Sequence, residues 1–537
     1  MLSFDNQRWL EKFAVLHGRA PRVLHIGNIA NNAYNNAKIL NSVGIENHVL
    51  CYDYYHVMGT PEWEDADFSG ELNDDFNPTW YKQDLKGYCR PDWFVQGKLD
   101  DCLAYLQELS LGNTDRTNAF RALLSVQNRT SAPLDAARPT RKFRRPVEKF
   151  ITFGSFAPEE AFTATHQKMV SLFGAGLGYW FSLSLMFFWP LAHAYSKDAL
   201  RGLFERLSSL WLSTKVLNSR VDCLEEKDVV GVFRLLPKWS AVLKSYDFVI
   251  AYSTDPFIPL VVGVPYFAFE HGTLRDIPYA TDTQGRRTSL SYAHAKHVFV
   301  TNFDCISSAE RLAPGRFTLI NHPYDEDHGS LVTGSDQLRQ SLLARLDAEH
   351  LFFFPTRHDW VVGTGYADKA NDIFLKAFAE LHRLGWKVGL VCCEWGKNVE
   401  QSKELLEREG VTQHVTWFAP MAMTRFERMS MACDVVVDQF KLGAFGGVLF
   451  KAMATGSPIL TYLNEALVLR QYTEVPPVIN CRTSSEIVTQ MAVLFEHPKC
   501  LEEIRLRSRQ WIVQYHGKHQ TINKQVDQFR LVSTAII

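Results

Sequence analysis

The stretch 434–460 most narrows the folds that this chain can adopt. It begins with three consecutive valines, continues through a loop that contains Gly443, Gly446 and Gly447, and leads by a predicted short helix into an apolar strand. Such a strand–loop–helix–strand unit is typical of an open α/β sheet, whose ligands bind at the carboxyl ends of the strands. A helix N-terminus attracts phosphate, and glycines allow a ligand to approach the backbone closely. The alternative is a glycine-lined packing turn.

Length and charge limit the class of protein. The chain has 537 residues, which is the size of two α/β domains, and 46% of them are hydrophobic, enough to fill two cores. The formal net charge of −2 gives no reason to expect a nucleic-acid partner.

The cysteines and the N-terminus predict a location. The ten cysteines form no C-x-x-C pair and no zinc-like spacing, which is typical of a reducing compartment. No apolar signal-peptide core follows Met1. We therefore expect the bulk of the protein to be cytoplasmic.

The first domain opens with a predicted β–loop–α–β unit over 22–53. Its loop contains Gly27 but no G-x-G-x-x-G motif, which argues against a dinucleotide-binding enzyme. Residues 54–110 are rich in aromatic, Asp and Asn residues and predict a long loop region near the opening of the fold. The predicted division of the chain is an N-terminal domain over 1–110 and 236–325, a helical insertion over 111–235, a linker over 326–336, a C-terminal domain over 337–505, and a C-terminal helix over 506–537 that packs back on the N-terminal domain.

The insertion predicts contact with a membrane. Residues 170–192 carry no charge, 199–217 has amphipathic helical spacing, and 138–149 is basic. Glycines and a proline interrupt the apolar run, so a re-entrant or interfacial helical pair is favoured over a single span. The alternatives are a buried helix and an oligomer contact. The prediction is peripheral or monotopic attachment to the inner face of the cell membrane through 138–218.

Four motifs together resemble a known family. Two doubly wound domains, the Glu270-His-Gly-Thr turn, Pro355-Thr-Arg357, Lys369-Ala-Asn-Asp372 and the loop from Gly443 resemble the GT-B glycosyltransferases, specifically the retaining enzymes of family 4. The resemblance covers roughly 21–55 and 245–530 and implies a GT-B fold, with two Rossmann-like domains facing a cleft.

The resemblance also implies a catalytic set. Arg357 and Lys369 match the cation pair that receives the charge of the departing diphosphate, which makes an essential metal or other cofactor unnecessary. His271 would contact the transferred sugar or steady the reacting centre.

Two further groups follow from the resemblance. The implied donor-binding residues are Glu270, Glu394, Asp438, Gly443, Gly446, Gly447 and Lys451. The implied loop beside the phosphates or the acceptor contains Gly27, Asn28, Asn31 and Asn32.

One position departs from the family pattern. The family carries two glutamates spaced E-x₇-E across the glycine loop and its helix, where this chain has Gly443 and Lys451. A lysine cannot accept a hydrogen bond from a hydroxyl group. Lys451 could meet a phosphate, an acid elsewhere could replace the glutamate, or the enzyme could be impaired.

The resulting functional hypothesis is a retaining hexosyltransferase. Its predicted partners are a nucleotide-sugar donor and a lipid-linked or saccharide acceptor, in the synthesis of a surface polysaccharide or glycolipid at the membrane. Two alternatives stay open, a sugar-nucleotide epimerase of the same fold and a degenerate GT-B scaffold or partner subunit.

Overall fold

The computed structural model describes residues 2–52, 56–68, 70, 72, 78–127, 197–361 and 368–534. The basic run 138–149 and the apolar run 170–192, on which the membrane prediction mainly depends, lie outside these residues.

The described residues form two sheets in which all paired strands are parallel. The first sheet has the order β3-β2-β1-β4-β5-β6-β7 and the second has the order β10-β9-β8-β11-β12-β13. The strands of the first sheet are β1 (Arg22–Ile26), β2 (Glu46–Tyr52), β3 (Phe94–Gly97), β4 (Phe248–Tyr252), β5 (Phe267–Phe269), β6 (His297–Val300) and β7 (Phe317–Leu319). Those of the second are β8 (His350–Phe354), β9 (Val388–Cys393), β10 (Val415–Phe418), β11 (Val435–Val437), β12 (Ile459–Thr461) and β13 (Ile479–Asn480).

Helices connect the strands. In the N-terminal part of the chain they are α1 (Phe4–His17), α2 (Asn32–Asn41), α3 (Pro61–Asp65), α4 (Leu99–Ser110), α5 (Thr114–Gln127), α6 (197–218), α7 (Lys227–Phe233), α8 (Leu236–Leu243), α9 (Phe257–Val262), α10 (Thr283–His294) and α11 (Ile306–Leu312). The remaining helices are α12 (Ser335–Leu346), α13 (Asn371–Arg383), α14 (Val399–Arg408), α15 (Met423–Ala432), α16 (Gly447–Ala454), α17 (Glu465–Val468), α18 (Ser484–Glu496), α19 (Pro498–Trp511) and α20 (Lys518–Thr534).

Each sheet has a point where the strand order reverses. In the first sheet β1 pairs with β4, and in the second β8 pairs with β11, so that neighbouring connections leave in opposite directions. The loops that follow these strands therefore part and leave a crevice, which is where open α/β sheets bind ligands.

The strands are apolar because both faces of each sheet are covered. Phe352 and Phe354 point to one side of β8, where they meet Phe374 of α13, whereas Phe353 points to the other side and meets Phe426 of α15. A parallel strand buried on both faces reads as a continuous hydrophobic run, as β8 does. The predicted pair of parallel-sheet α/β domains is confirmed.

The chain returns to the first domain at its end. A five-residue π-helical turn, Ile512–His516, follows α19, and α20 then lies against the first sheet. There Phe529 stacks on Phe248, with ring centroids 4.6 Å apart, while Ile522 and Val526 are buried beside it.

The amphipathic stretch of the insertion packs against protein. Leu207 and Trp211 of α6 are buried in the core of the first domain, and the Trp211 indole Nε1 donates to the carbonyl of Asp222 (3.1 Å). This face of α6 is therefore not free to enter a lipid interface. The structure differs here from the interfacial helix predicted for 199–217. Across the described ranges, the helices are too short or too polar for any of them to traverse a bilayer.

Candidate active site

A cleft of about 590 Å³ lies between the two domains. The second domain contributes the residues that follow β8 and β11, at its topological switch point, together with the first turns of α16. The first domain contributes the loop after β1, the turn after β5, and α3. The cleft thus joins the carboxyl edges of both sheets.

Arg357 and Lys369 bring positive charge to the cleft from the second domain. Arg357 follows β8, and its Nε lies 2.6 Å from a carboxylate oxygen of Asp359. Lys369 precedes α13, and its Nζ donates to Gln439 Oε1 (2.9 Å). Burial lowers the pKa of Lys369, although the nearby Asp438 carboxylate opposes that effect. An incompletely solvated ammonium group beside a guanidinium group is suited to receive negative charge from a ligand.

The glycines of the loop divide into two kinds. Gly446 and Gly447 line the cleft where α16 begins, and a Cβ atom on Gly447 would meet no other atom within 4 Å. Gly443 has φ +68°, and a Cβ there would lie 2.9 Å from the Tyr462 ring, outside the cleft lining. Gly443 therefore forms the turn, while the other two leave room for a ligand at the helix N-terminus.

Asp438 presents an unused acceptor to the cleft. Its side chain is 3% exposed, and Oδ1 accepts from Thr356 Oγ1 (3.0 Å). Oδ2 has no hydrogen-bond partner among the described residues and lies near Gly446. Burial raises the pKa of Asp438, with Lys369 acting in the opposite direction. This carboxyl group can bind a hydroxyl group that a ligand brings into the cleft.

Glu270 is buried away from the cleft, unlike the donor contact predicted for it. Its carboxylate accepts hydrogen bonds from the Gly272 N–H, from the Thr301 N–H (3.2 Å) and from Asn302 Nδ2 (3.2 Å). These partners belong to the turn itself and to the residues that follow the neighbouring strand β6. Glu270 therefore shapes the turn on which His271 is displayed.

His271 lines the cleft as a neutral ring. Burial lowers the pKa of His271 to about 4, and the Arg275 charge acts in the same direction. Asn32 Nδ2 lies 3.2 Å from His271 Nε2, so Nε2 accepts and the proton resides on Nδ1. Within the described chain, Nδ1 has no partner. A neutral histidine of this kind can orient a substrate but is a weak base at pH 7.

The asparagine loop is mostly internal. Asn28 Nδ2 donates to the Gly59 carbonyl (2.9 Å), and Asn31 Nδ2 donates to the Thr60 carbonyl (2.8 Å). Gly27 has φ +85° and packs tightly against Asp255. Of the four residues predicted for this loop, the structure brings Asn32 to the cleft, and the other three hold the loop in shape.

Glu394 and Lys451 differ in their placement. Glu394 lies outside the cleft lining, where its carboxylate accepts from Lys403 Nζ (2.6 Å). Lys451 lies on α16 and lines the cleft, with its Nζ 3.5 Å from Glu64 Oε1 of the first domain.

Several cleft residues escaped the sequence predictions. His322 lines the cleft after β7 and stacks on Phe450 with ring centroids 5.4 Å apart. Arg275 extends from the His271 turn and pairs with Asp304, and Glu64 comes from α3. The local signal for His322 is its position just after 317–320, a run of strand-forming residues, as His271 follows the run 266–269. Nothing local in the sequence marks Glu64.

The described part of the chain holds no group of three His, Cys, Asp or Glu side chains that could bind a metal ion.

No family model matches the sequence, and no curated protein sequence matches it significantly. Similar solved structures include HepE of Anabaena in complex with UDP-glucose, with 17% identity, a TM-score of 0.44, and coverage of 56% of this chain and 82% of that one. A glycosyltransferase of Rickettsia africae has 10% identity, a TM-score of 0.44, and coverage of 58% and 84%. Sucrose-phosphate synthase of Thermosynechococcus elongatus has 14% identity, a TM-score of 0.41, and coverage of 57% and 79%. At this level of similarity, any functional conclusion depends on the residues of the cleft.

Proposed function

We propose that this protein is a glycosyltransferase that uses a nucleotide-sugar donor. The observation that carries the proposal is the convergence of Arg357, Lys369 and the glycine N-terminus of α16 on one cleft between two domains. These groups match the needs of a diphosphate, which requires several cationic or N–H donors around its oxygens.

The proposed chemistry uses these groups at the moment of bond cleavage. When the bond between the sugar and the diphosphate breaks, negative charge grows on the leaving oxygen. Arg357, Lys369 and the N–H groups of Gly446 and Gly447 stabilise that charge without a metal ion. Asp438 accepts a hydrogen bond from a donor hydroxyl group, and neutral His271 orients the transferred sugar.

We propose retention of configuration for the transfer of a hexose. In same-face attack, the acceptor hydroxyl approaches from the side that the diphosphate leaves. Its oxygen forms the new bond to the sugar as the bond to the diphosphate breaks, and its proton passes to a diphosphate oxygen, so no protein side chain is needed as a strong base. The low pKa of His271, about 4 because of burial, supports a role other than proton abstraction.

We propose a lipid-linked or surface-polysaccharide acceptor at the cytoplasmic face of the membrane. The support comes from the uncharged run 170–192, the basic run 138–149, and four exposed apolar side chains at the end of α6 and just beyond it, Leu212, Val216, Leu217 and Val221. An enzyme that docks on lipid through such segments is suited to an acceptor held there.

The test compares Arg357→Ala with Arg383→Ala, which removes an exposed arginine of α13 paired with Glu380. Purified membranes and a panel of UDP- and GDP-sugars supply the substrates. Arg357→Ala should lower kcat/KM by about 10²–10³-fold, the cost of removing one such donor, and EDTA should leave turnover unchanged. Equal activity of Arg357→Ala and wild type would refute the proposed role. Failure of both UDP and GDP to raise the Tm would indicate a non-catalytic partner subunit instead.

A further inference from the structure

An ion pair between Lys451 and Glu64 joins the two domains across the cleft. Lys451 lies on α16, and Glu64 lies on α3, a five-residue helix of the first domain. Nζ and Oε1 are 3.5 Å apart, and the two side chains are 21% and 6% exposed. Both side chains line the cleft. A ligand that fills the cleft therefore contacts this pair.

The Glu64 carboxylate is held in a fixed position. Oε1 accepts a hydrogen bond from Asn35 Nδ2 (3.1 Å), and Asn35 lies on α2, next to the loop that carries Asn32. Burial acts to raise the pKa of Glu64, but Lys451, Asn35 and Lys38 outweigh that effect, and the pKa lies below its ordinary value. The carboxylate is thus charged at pH 7, although it is almost fully buried.

Few of the described residues that line the cleft are carboxylates. Among the described residues that line it, the cations are Arg275, Arg357, Lys369 and Lys451, and the carboxylates are Asp438 and Glu64. Asp438 lies beside Lys369 and Gly446, where a diphosphate would bind. Lys451 lies one helical turn from the start of α16, and Glu64 of α3 lies beside Lys451. A sugar nucleotide has hydroxyl pairs on both sides of its diphosphate, and an ionised carboxylate is the strongest acceptor for them.

We propose that Glu64 is the carboxylate that binds a vicinal hydroxyl pair of the donor, and that Lys451 positions it. The inference rests on the proposed function and assigns part of the donor site to the opposite domain. Donor recognition then requires the closed arrangement of the two domains. The hydroxyl pair belongs either to the ribose or to the transferred sugar, and the experiment distinguishes these sources.

The experiment measures nucleotide affinity by calorimetry for wild type, Glu64→Gln, Lys451→Met and Lys451→Glu. The probes are UDP, GDP, the 2′-deoxy forms of both, and UDP-glucose. Asp67→Asn is the matched control, because Asp67 forms another ion pair between the domains, with Arg428 (2.8 Å), outside the cleft lining. Tm and circular dichroism confirm that each variant is folded.

Glu64→Gln should weaken the binding of UDP-glucose by about 10- to 100-fold, the range for a hydrogen bond to a charged group. Asp67→Asn should leave the affinity unchanged. Lys451→Glu should bind at least as weakly as Glu64→Gln, because it places two carboxylates side by side. If the ribose is the source, Glu64→Gln should also lose the preference for UDP over its 2′-deoxy form. If the transferred sugar is the source, only the affinity for UDP-glucose should fall.

Three results would overturn the inference. If Glu64→Gln binds every probe as tightly as wild type, the ion pair of Glu64 with Lys451 is only a contact between the domains. If Lys451→Glu binds the nucleotide more tightly than wild type, the lysine weakens nucleotide binding in the wild-type protein. An equal loss of nucleotide affinity in Asp67→Asn would mean that the effect comes from the contact between the domains and not from the cleft. If wild type binds neither UDP nor GDP, the proposed function fails as well, whereas binding that is insensitive to Glu64 and Lys451 overturns this inference only.

Discussion

Gly443 and Gly447 lie four residues apart in one loop-to-helix segment, yet their surroundings give them separate roles. Gly443 adopts a left-handed backbone conformation against Tyr462 and Asn464. Gly447 opens α16 and faces free space in the cleft. The same residue type thus serves the backbone at one position and the ligand at the other.

We expect Gly443→Ala and Gly447→Ala to separate stability from binding. Gly443→Ala should lower the free energy of unfolding by about 1–3 kcal/mol, the cost of a left-handed non-glycine residue. Gly447→Ala should leave that free energy unchanged, because the added methyl group meets nothing, but it should weaken nucleotide binding by occupying the space beside the phosphate. Urea titration and calorimetry measure the two effects. A stability loss in Gly447→Ala, with none in Gly443→Ala, would contradict this assignment.

At the scale of elements, the two domains depend on segments that cross between them. The linker residue His328 touches both sides, with Nδ1 2.7 Å from Glu427 and Nε2 3.6 Å from Asp65. Further along the chain, α20 completes the core of the first domain. Neither segment belongs to a sheet, but each affects the stability of the structure that forms the cleft.

Phe529 of α20 offers a direct measurement of that contribution. Its ring is fully buried against Phe248 and Phe267. Phe529→Ala should lower the free energy of unfolding by about 3–5 kcal/mol, through lost burial and the cavity that remains. Leu531→Ala, two residues along the same helix and exposed, should stay within about 0.5 kcal/mol of wild type. Similar effects of the two substitutions in chemical denaturation would show that α20 does not pack as described.

His328 should make part of the stability depend on pH. Burial acts to lower the pKa of His328, but the hydrogen bond to Glu427 and the charges of Glu427 and Asp65 outweigh both burial and the opposing charge of Lys38, so the pKa is raised. The folded state thus binds this proton more tightly than the unfolded state. The contribution is fully present below about pH 6.5, the ordinary value, and is lost as the pH rises through the raised pKa.

The measurement is the difference in unfolding free energy between wild type and His328→Gln from pH 5 to pH 9. The difference should be about 1.5–3 kcal/mol at the acidic end, as for a hydrogen bond between charged groups, and should shrink as the pH rises. Comparison with the variant removes the opposite trend of buried neutral histidines such as His25, whose pKa burial lowers to about 4. A difference that is constant with pH would exclude a charged His328.

At the scale of the whole molecule, the cleft and the insertion are separate parts of the chain. The described residues of the cleft come from segments before residue 65 and after residue 270. α6, a described helix of the insertion, packs in the core of the first domain and contributes no residue to the cleft lining.

We therefore expect membrane binding and nucleotide binding to be separable. Replacing 131–196 with a flexible Gly/Ser linker, while keeping α6, should abolish flotation with vesicles that contain anionic lipid. It should leave UDP or GDP affinity unchanged, because the cleft is intact. Wild type should also release from the vesicles as salt rises, since the basic run acts electrostatically. If the protein with the linker in place of 131–196 still floats with the vesicles, the insertion does not bind the membrane as proposed.

Local patterns were sufficient for the strands and for the cations of the second domain. Residues 351–354 of β8 and the valines of β11 are all apolar, so Arg357 and Asp438 could be placed at strand ends. In contrast, the prediction of a long loop over 54–110 was wrong for its last part. Phe94–Gly97 forms β3, and Leu99–Ser110 forms α4. A four-residue strand that contains Gln96 and Gly97 becomes a strand because β2 lies beside it.

The amino-acid sequence by itself determined the two parallel sheets and the glycine turn, since each follows from residues that are neighbours in the chain, and the family resemblance of its motifs marked the pair of cations. Only the tertiary structure decided that Glu270 is buried inside its turn, that Glu394 faces Lys403 outside the cleft, and that Glu64 meets Lys451. Glu64 and Lys451 are separated by hundreds of residues, and no local preference encodes their contact. That contact exists because two independently formed sheets dock with their carboxyl edges facing each other.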